Sequence, residues 1–394
     1  MIFRPLHFQR CLLHRLRGFL FPLCAFVAAT VTKVEAEYTF TLVADSTGPF
    51  SDFGVVPSPA LNASGTVAFV ARFDGSGAGV FKGNGGALTT ITTIATPPFG
   101  NPFNPPSINQ AGMVAFSAGD RVLAGNGGPR VTIADTAGQF NGFAGGYSAS
   151  INSAGTVAFW ALPDTGPAGI FASDGGTVTP LFLNSGSLNA NNNIAFNDVG
   201  TLAFRKSNGT GIVTVNGGSI TTIADSSGLF NYFGSAPSLN EAGTVAFAAG
   251  TNGQDGGVFG IYKGSGGALT TIADLSGPYS YLFGFNDFQP SINYAGLVAF
   301  NAALDAGGGG VFIGDGTMTS AVIQAGDSLF GSTVTGAGVT PYGLNDSGQV
   351  AFAFTLANGT TGIAVATPVP EPSAALLLAL SLGLSLARRT TRKG

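Results

Sequence analysis

One eight-residue motif occurs seven times in the 394-residue chain, and it constrains the fold more than any other feature. The motif is Asn-x-x-Gly-x-(Val/Leu)-Ala-Phe, and successive copies begin 43 to 53 residues apart. The copies begin at Asn62, Asn109, Asn152, Asn197, Asn240, Asn293 and Asn345. A repeat of this length is typical of a supersecondary unit that buries its apolar face against neighbouring copies.

Each copy predicts an antiparallel meander of four strands. In the fifth copy, the segment from Asn240 to Gly243 has the residues of a tight turn, with Asn first and Gly where φ is positive. The β-forming run Thr244 to Ala248 follows, and glycine-rich turns separate it from two further strands. Four strands in about 45 residues are the size of a β-propeller blade. A parallel β-helix is the competing architecture, but its coils are shorter and a meander does not stack into one.

The two ends of the repeat region predict a closed ring. The seventh copy stops at Pro368, one strand short, and the segment Tyr38 to Asp45 resembles the missing strand. A strand borrowed from the other end of the chain leaves no unpaired sheet edge. We therefore predict an all-β fold over residues 37–368. It is a seven-bladed β-propeller of four-stranded antiparallel blades, with the N-terminal strand as the outer strand of the last blade.

Residues 1–36 have the three parts of a secretory signal peptide. Four arginines without an acid precede the apolar stretch Gly18 to Thr30, and small residues flank Glu35 at the end. We expect cleavage after Ala36 by signal peptidase. A retained membrane anchor is the alternative, although the apolar stretch is shorter than the roughly 20 residues of a spanning helix.

The composition of the mature chain excludes several kinds of chemistry. Both cysteines and both histidines lie within the first 24 residues. The mature chain therefore has no disulfide, no Ser-His-Asp triad, no cysteine nucleophile and none of the usual zinc ligands. Residues 37–368 carry seven basic and 18 acidic residues, a net charge of −11. Such a surface, without a basic cluster, argues against nucleic acid and anionic membrane as partners.

The C-terminal tail, residues 369–394, combines a Pro-Glu-Pro tripeptide, a run of 14 apolar or small residues and a basic stop. Its motif residues are Pro370, Glu371, Pro372, Arg388 and Arg389. The tail resembles the PEP-CTERM sorting signal of Gram-negative bacteria. That resemblance implies processing by an exosortase-type membrane protease, transient membrane association through a short helix, and delivery to the cell surface or extracellular matrix. A membrane anchor that is never cut is the alternative. The body resembles the NxxGxxAF tandem-repeat class, which implies no assigned activity.

A recurrent aspartate is the main candidate for ligand binding. It follows the last strand of a repeat at Asp45, Asp135, Asp225 and Asp274, and aromatic residues come next. One interpretation is a ring of carboxylates that holds Ca²⁺ or a sugar hydroxyl beside aromatic stacking residues. The favoured interpretation is an Asx-turn followed by aromatic packing between blades, because a motif present in most blades builds the blade. We assign no catalytic residue and no metal ligand, and we predict no cofactor apart from Ca²⁺ as a candidate.

Together these features favour an exported, surface-associated and non-enzymatic propeller. It would bind or scaffold extracellular polymer, with exopolysaccharide or matrix proteins of a biofilm as partners. The alternative is a carboxylate-dependent propeller enzyme, a polysaccharide lyase or glycosidase with its site at the axial mouth. Clustered charged and aromatic side chains at that mouth favour an enzyme or a lectin, whereas bare glycine turns favour a scaffold.

Overall fold

The computed structural model describes residues 37–53, 58–95, 104–143, 149–185, 190–251, 258–282 and 289–370. These ranges form β-strands in seven antiparallel sheets, and none of them contains a helix long and apolar enough to cross a membrane. The sheets are the seven blades of a β-propeller, which confirms the predicted fold class. The predicted cleavage site at Ala36 and the tail residues Glu371, Pro372, Arg388 and Arg389 lie outside the described residues.

The strands follow the order of the repeats along the chain. The first strand, β1 (Tyr38–Asp45), belongs to blade 7. Blade 1 contains β2 (Phe50–Asp52), β3 (Ala60–Leu61), β4 (Val67–Phe73), β5 (Ala78–Gly83) and β6 (Thr89–Ile94). Blade 2 contains β7 (Ser107–Ile108), β8 (Val114–Ala118), β9 (Arg121–Gly125) and β10 (Val131–Asp135). Blade 3 contains β11 (Phe140–Phe143), β12 (Ala149–Ile151), β13 (Val157–Pro163), β14 (Gly169–Ser173) and β15 (Thr179–Leu183).

The remaining four blades repeat this pattern. Blade 4 contains β16 (Ala190–Phe196), β17 (Leu202–Lys206), β18 (Gly211–Asn216) and β19 (Ser219–Asp225). Blade 5 contains β20 (Tyr232–Phe233), β21 (Ser238–Leu239), β22 (Val245–Thr251), β23 (Val258–Gly264) and β24 (Thr270–Asp274). Blade 6 contains β25 (Tyr279–Leu282), β26 (Ser291–Ile292), β27 (Val298–Leu304), β28 (Gly309–Gly314) and β29 (Thr319–Gln324). Blade 7 contains β30 (Ser328–Leu329), β31 (Ser332–Gly338), β32 (Val350–Leu356) and β33 (Thr361–Pro368).

The seven motif turns have the predicted geometry. In every copy the glycine N–H donates to the carbonyl of the asparagine three residues earlier, at 2.9 to 3.2 Å. The motif glycines have φ between 76° and 87°, which only glycine adopts without strain. A type I turn followed by such a glycine is a common three-residue hairpin loop, and it fixes the register of the two strands that it joins.

The inner strand of blades 1, 3, 5 and 6 is divided into two short pieces that pair with opposite halves of the same second strand. In blade 5, Phe233 pairs with Ala249 and Ser238 pairs with Ala246. Four residues therefore lie between the pieces opposite only two on the partner strand. Pro237 is among the four, and proline cannot donate a ladder hydrogen bond. The sequence predicted the second piece of this strand and missed the first.

Apolar burial is distributed between the blades rather than collected in one centre. The motif phenylalanines, each at most 1% exposed, are Phe69, Phe116, Phe159, Phe204, Phe247, Phe300 and Phe352. Seven apolar clusters occur in the described part of the chain, and each combines residues of two neighbouring blades. A linear array would leave the outer faces of its first and last blades unpacked, so this arrangement requires a closed ring.

The N-terminal strand closes the ring as predicted. Strand β1 pairs antiparallel with β33, from Tyr38 opposite Pro368 to Asp45 opposite Gly362, and forms the outer edge of blade 7. One apolar cluster joins Val43 of this strand to Phe69 of blade 1. The first and last blades are therefore in direct contact.

Candidate functional site

The propeller has two faces that differ in chemistry. We call the end of the blades with the seven motif turns the asparagine face. The other end carries the turns that follow Asp45, Asp135, Asp225 and Asp274, and we call it the aspartate face. The second strand of blade 5, Val245–Thr251, runs from the first face to the second. Six steps of about 3.3 Å from Val245 to Thr251 separate the faces by roughly 20 Å.

The motif asparagines join neighbouring blades. In each copy the side-chain Oδ1 accepts a hydrogen bond from the N–H four residues later. In six copies, Nδ2 donates at 2.9 to 3.3 Å to the backbone carbonyl of the motif asparagine in the next blade. The last of these bonds, from Asn345 to Asn62, closes the circle at 3.0 Å. The sequence predicted turn residues and missed their second role as links between blades.

One junction uses a different link. Asn152 is only half-buried, and its Oδ1 accepts from the N–H of Thr156 at 2.9 Å. The N–H of Ser153 donates to Oδ1 of Asp198 in the next blade at 2.6 Å. Blades 3 and 4 are therefore joined at this face through a carboxylate rather than through an asparagine amide.

The four recurrent aspartates form Asx-turns in four different blades. Their Oδ1 atoms accept from the N–H two residues later at 2.9 to 3.1 Å. Hydrogen bonds from Ser227 hold the pKa of Asp225 below its usual value. In the described ranges no three His, Cys, Asp or Glu side chains lie close enough to hold a metal ion. The first aromatic residues after these aspartates, such as Phe50 and Phe230, are buried in clusters between blades. An Asx-turn followed by aromatic packing between blades is the geometry that the favoured interpretation describes.

A tyrosine crosses the centre of the ring. The hydroxyl of Tyr342 in blade 7 donates to the backbone carbonyl of Ile194 in blade 4 at 2.7 Å. Burial raises the pKa of Tyr342 to about 12, so its phenol is neutral at physiological pH. The centre of the ring therefore contains a neutral phenol that is hydrogen-bonded to the backbone of blade 4.

The blades differ at one position of the inner strand near the aspartate face. This position carries Asp52 in blade 1, Gly142 in blade 3, Tyr232 in blade 5, Tyr281 in blade 6 and Gly336 in blade 7. Asp52, the charged residue at this position, forms an ion pair with Arg72 at 3.8 Å. Only blades 5 and 6, among these, have an aromatic side chain here. Residues that build a blade recur in each copy, so this variable position is a candidate for function.

Three aromatic side chains meet at this position, and we call them the aromatic platform: Tyr232, Phe259 and Tyr281. Tyr232 and Phe259 both pair with Gly250, which lies between them in register. Because Gly250 has no side chain, the two rings meet across it, with centroids 5.8 Å apart and an interplanar angle of 80°. The centroid of Phe259 is 6.4 Å from that of Tyr281, whose side chain is 39% exposed.

An arginine lies beside the platform. Nη1 of Arg205 in blade 4 donates to the carbonyl of Phe233 at 3.3 Å. Burial raises the pKa of Tyr232, and the positive charge of Arg205 opposes that change only in part. The phenol therefore stays neutral and can both donate and accept hydrogen bonds. Aromatic faces, a phenol and a guanidinium together suit a ligand with an apolar ring face and many hydroxyls.

Two other grooves lie between neighbouring blades. A cleft of about 320 Å³ between blades 7 and 1 is lined by Asp52, Phe53, Phe354 and several glycines and alanines. A cleft of about 280 Å³ on the asparagine face contains Lys82, whose Nζ donates to the carbonyl of Gly112 at 2.7 Å and to the side chain of Asn126. This lysine is thus occupied in joining blades 1 and 2.

Comparison with known proteins supports the fold and leaves the function open. Residues 203–339 and 329–376 match the model of a family of unknown function (DUF7453), which is less than half of the chain. No curated protein matches the sequence significantly.

Solved structures share the fold at low identity. An oligogalacturonate lyase in complex with manganese is similar with a TM-score of 0.53 and 10% identity, over 85% of this chain and 99% of that chain. YCF48 from Cyanidioschyzon merolae has a TM-score of 0.44 and 13% identity, over 83% and 99% of the two chains. A putative TolB from Agrobacterium tumefaciens has a TM-score of 0.40 and 14% identity, over 61% and 90%. At 10% identity, the likeness to the oligogalacturonate lyase shows the fold alone.

Proposed function

We propose that the protein is an exported, surface-held propeller that binds extracellular polysaccharide through the aromatic platform without cleaving it. The aromatic platform is the observation that carries the proposal, because it stands at a position where the blades diverge. A sugar ring has an apolar face of C–H groups and a rim of hydroxyls. Tyr281 offers an exposed ring to the apolar face of the sugar. The phenol of Tyr232 and the guanidinium of Arg205 offer hydrogen bonds to its hydroxyls.

The contribution of stacking to the binding free energy follows from the apolar area that it removes from water. One sugar face on one aromatic ring covers about 50 Å² of apolar surface, and about 25 cal/mol per Å² gives roughly 1.3 kcal/mol for each contact. Two such contacts correspond to about a hundredfold in affinity. Affinity for a long polymer rises further when several chains of this protein, held on one surface, bind the same molecule.

The charge of the body favours neutral polysaccharides. Residues 37–368 have a net charge of −11, which repels a polyanion at low ionic strength. Arg205 is the positive charge next to the platform, and it serves sugar hydroxyls as well as carboxylates. We therefore place neutral exopolysaccharides before uronic acid polymers as ligands.

Export and surface attachment rest on the two ends of the sequence. The signal peptide directs the chain out of the cytoplasm, and signal peptidase cleaves after Ala36. The tail, which begins beyond Pro368, holds the chain in a membrane until an exosortase-type protease acts near Pro370, Glu371 and Pro372. N-terminal sequencing of the mature protein should begin at Glu37. Deletion of residues 369–394 should move the protein from the membrane fraction to the medium, and an unchanged distribution would contradict the tail's role.

The binding test compares aromatic residues of the two faces. Tyr281→Ala and Phe259→Ala should each weaken binding to a neutral polysaccharide about tenfold, since each removes roughly 1.3 kcal/mol of stacking. Tyr294→Ala is the matched control, because Tyr294 lies on the asparagine face and is 61% exposed. Equal affinities for all three variants, measured by affinity electrophoresis across a polysaccharide panel, would refute the proposed site.

The enzyme alternative has its own outcome in the same experiment. A polysaccharide lyase or glycosidase releases shorter fragments from the polymer that it binds. Incubation of the protein with neutral and uronate polysaccharides, with and without added Mn²⁺ or Ca²⁺, should leave the polymer size unchanged. A fall in polymer size that Tyr281→Ala does not affect would place catalysis elsewhere on the propeller and contradict the non-enzymatic proposal.

A further inference from the structure

Both ends of the propeller chain leave it at the same point of the asparagine face. Tyr38 pairs with Pro368, and the N–H of Val369 donates to the carbonyl of Glu37 at 2.8 Å. Nε2 of Gln349, in the seventh motif turn, donates to the hydroxyl of Thr367 at 3.0 Å. The last described residues therefore stand beside the turn that defines this face, at the outer edge of blade 7.

The aromatic platform stands at the opposite end of the blades. In blade 5, Val245 follows the motif turn and pairs with Gly264, whereas Gly250 pairs with Phe259 of the platform. Five residues at about 3.3 Å each place the platform roughly 17 Å away from the asparagine face. The exit of the tail and the proposed binding site thus lie on different faces of the ring.

We infer that a chain held in a membrane by its tail turns its asparagine face towards the membrane and its aromatic platform outwards. This inference rests on the tether that the proposed function includes. The apolar run of the tail begins at Ala374, four residues after Pro370. Even a fully extended chain spans only about 14 Å over that distance. The rim of blade 7 on the asparagine face is therefore kept close to the membrane surface.

Charge on the asparagine face makes the tail the main attachment. The motif turns carry Asp198, Glu241 and Asp346 on this face. Burial raises the pKa of Glu241, a hydrogen bond from the N–H of Asp198 opposes that change, and the charges of Asp198 and Asp346 add to it. These carboxylates at the motif turns repel anionic headgroups. The aspartate face, which carries the aromatic platform, points away from the membrane and is open to extracellular polymer.

The absence of cysteine after Cys24 allows a direct test. In the mature chain, which begins at Glu37 and keeps the tail, a single cysteine is placed at Ser347 or at Ala357. These exposed residues flank β32, the first on the asparagine face and the second on the aspartate face. A fluorophore is attached, and the protein is reconstituted into lipid vesicles that contain a headgroup-linked quencher.

The label at Ser347→Cys should lose more of its emission than the label at Ala357→Cys. Ala63→Cys, an exposed position in the first motif turn, should behave like Ser347→Cys and repeats the measurement if that variant folds poorly. Equal quenching at both ends of the strand, or stronger quenching at Ala357, would overturn the orientation.

The same preparation separates the two possible failures. If no labelled variant floats with vesicles, the tether and the orientation are both wrong. Binding of polysaccharide by the protein in solution is measured independently and would still stand. If the variants float and show the predicted quenching but bind no polysaccharide, the orientation holds and the proposed ligand is wrong.

Discussion

Truncation of Asn345 to alanine tests the links between blades at the point where the ring closes. The side chain is 5% exposed. Its Nδ2 donates to the carbonyl of Asn62 at 3.0 Å and to Oε1 of Gln349 at 2.8 Å. Its Oδ1 accepts from the N–H groups of Ser347 and Gln349 at 3.1 and 3.0 Å. The variant thus removes four hydrogen bonds, while the carbonyl of Asn62 still accepts from the N–H of Gly65 at 3.1 Å.

The loss is calculated from these bonds. A hydrogen bond contributes about 1 kcal/mol net to stability, so Asn345→Ala should lower the free energy of unfolding by about 3 to 4 kcal/mol. The matched control is Asn152→Ala. Asn152 occupies the same motif position but is only half-buried, and its side chain accepts from the N–H of Thr156. The control should lose about 1 kcal/mol.

Equilibrium unfolding in urea measures the difference. Both variants should shift the midpoint to lower urea with an unchanged slope, and the larger shift should belong to Asn345→Ala. Equal shifts for the two variants would refute the reasoning, because they would mean that the link from Asn345 to Asn62 adds nothing beyond the turn itself.

Three further variants test other contacts of the ring. Tyr342→Phe should lower the free energy of unfolding by about 1 to 2 kcal/mol in urea, because it leaves the carbonyl across the axis unpaired. Gly266→Ala should destabilise by about 1 to 3 kcal/mol, since φ is +100° and an added Cβ would meet a threonine methyl, whereas Gly267→Ala, with open space, should change little. Hydrogen bonds from Thr317 lower the pKa of Asp315 from 3.8 to about 2. The bond from its hydroxyl has the largest effect, and the bond from its N–H comes next. The stability difference between the wild type and Asp315→Asn should therefore be small at pH 7, because the group is exposed. It should shrink as pH falls from 3.8 towards about 2, which unfolding curves at several pH values would measure.

Local chemistry explains what the sequence predicts well. The motif glycine needs a positive φ, and the motif phenylalanine is large and apolar, so both turn and core position follow from residue type. Closure was predictable because the strand lacking at Pro368 is supplied by Tyr38–Asp45, a complementarity visible in the repeats themselves. The turn and the core position depend on contacts within one blade, and the closure depends on the number of strands.

The links between blades were not predictable in the same way. An Asx-type turn accepts Asp or Ser as well as Asn, yet all seven copies have Asn. Asp has no donor, whereas the amide of Asn places its donor and its acceptor on two separate atoms, which is a signal for the second hydrogen bond. The identity of its partner depends on how one blade is placed against the next, and no local pattern contains that information.

The aromatic platform depends on long-range register. Phe230 and Tyr232 both follow Asp225, and a strict two-residue period would put both rings on one face of the strand. Phe230 is buried and Tyr232 is half-buried, and in blade 6 a β-bulge separates the matching residues Tyr279 and Tyr281. Phe259 reaches Tyr232 only because Gly250 lies between them in the sheet. A shift of one residue in that pairing would send the side chain to the other face, so the sequence alone could not place it.

The most direct test of the closed ring is a disulfide between its two ends. Thr39 lies opposite Thr367 in the pairing of β1 with β33, and Thr41 lies two residues out of register with Thr367. In the background without Cys11 and Cys24, the pair Thr39→Cys and Thr367→Cys should oxidise to an intramolecular disulfide, because directly opposed Cβ atoms are about 5 Å apart. The pair Thr41→Cys and Thr367→Cys should oxidise far less. Mass spectrometry of the tryptic peptides measures both yields. Absence of the first disulfide, or equal yields for the two pairs, would contradict a propeller closed by its N-terminal strand.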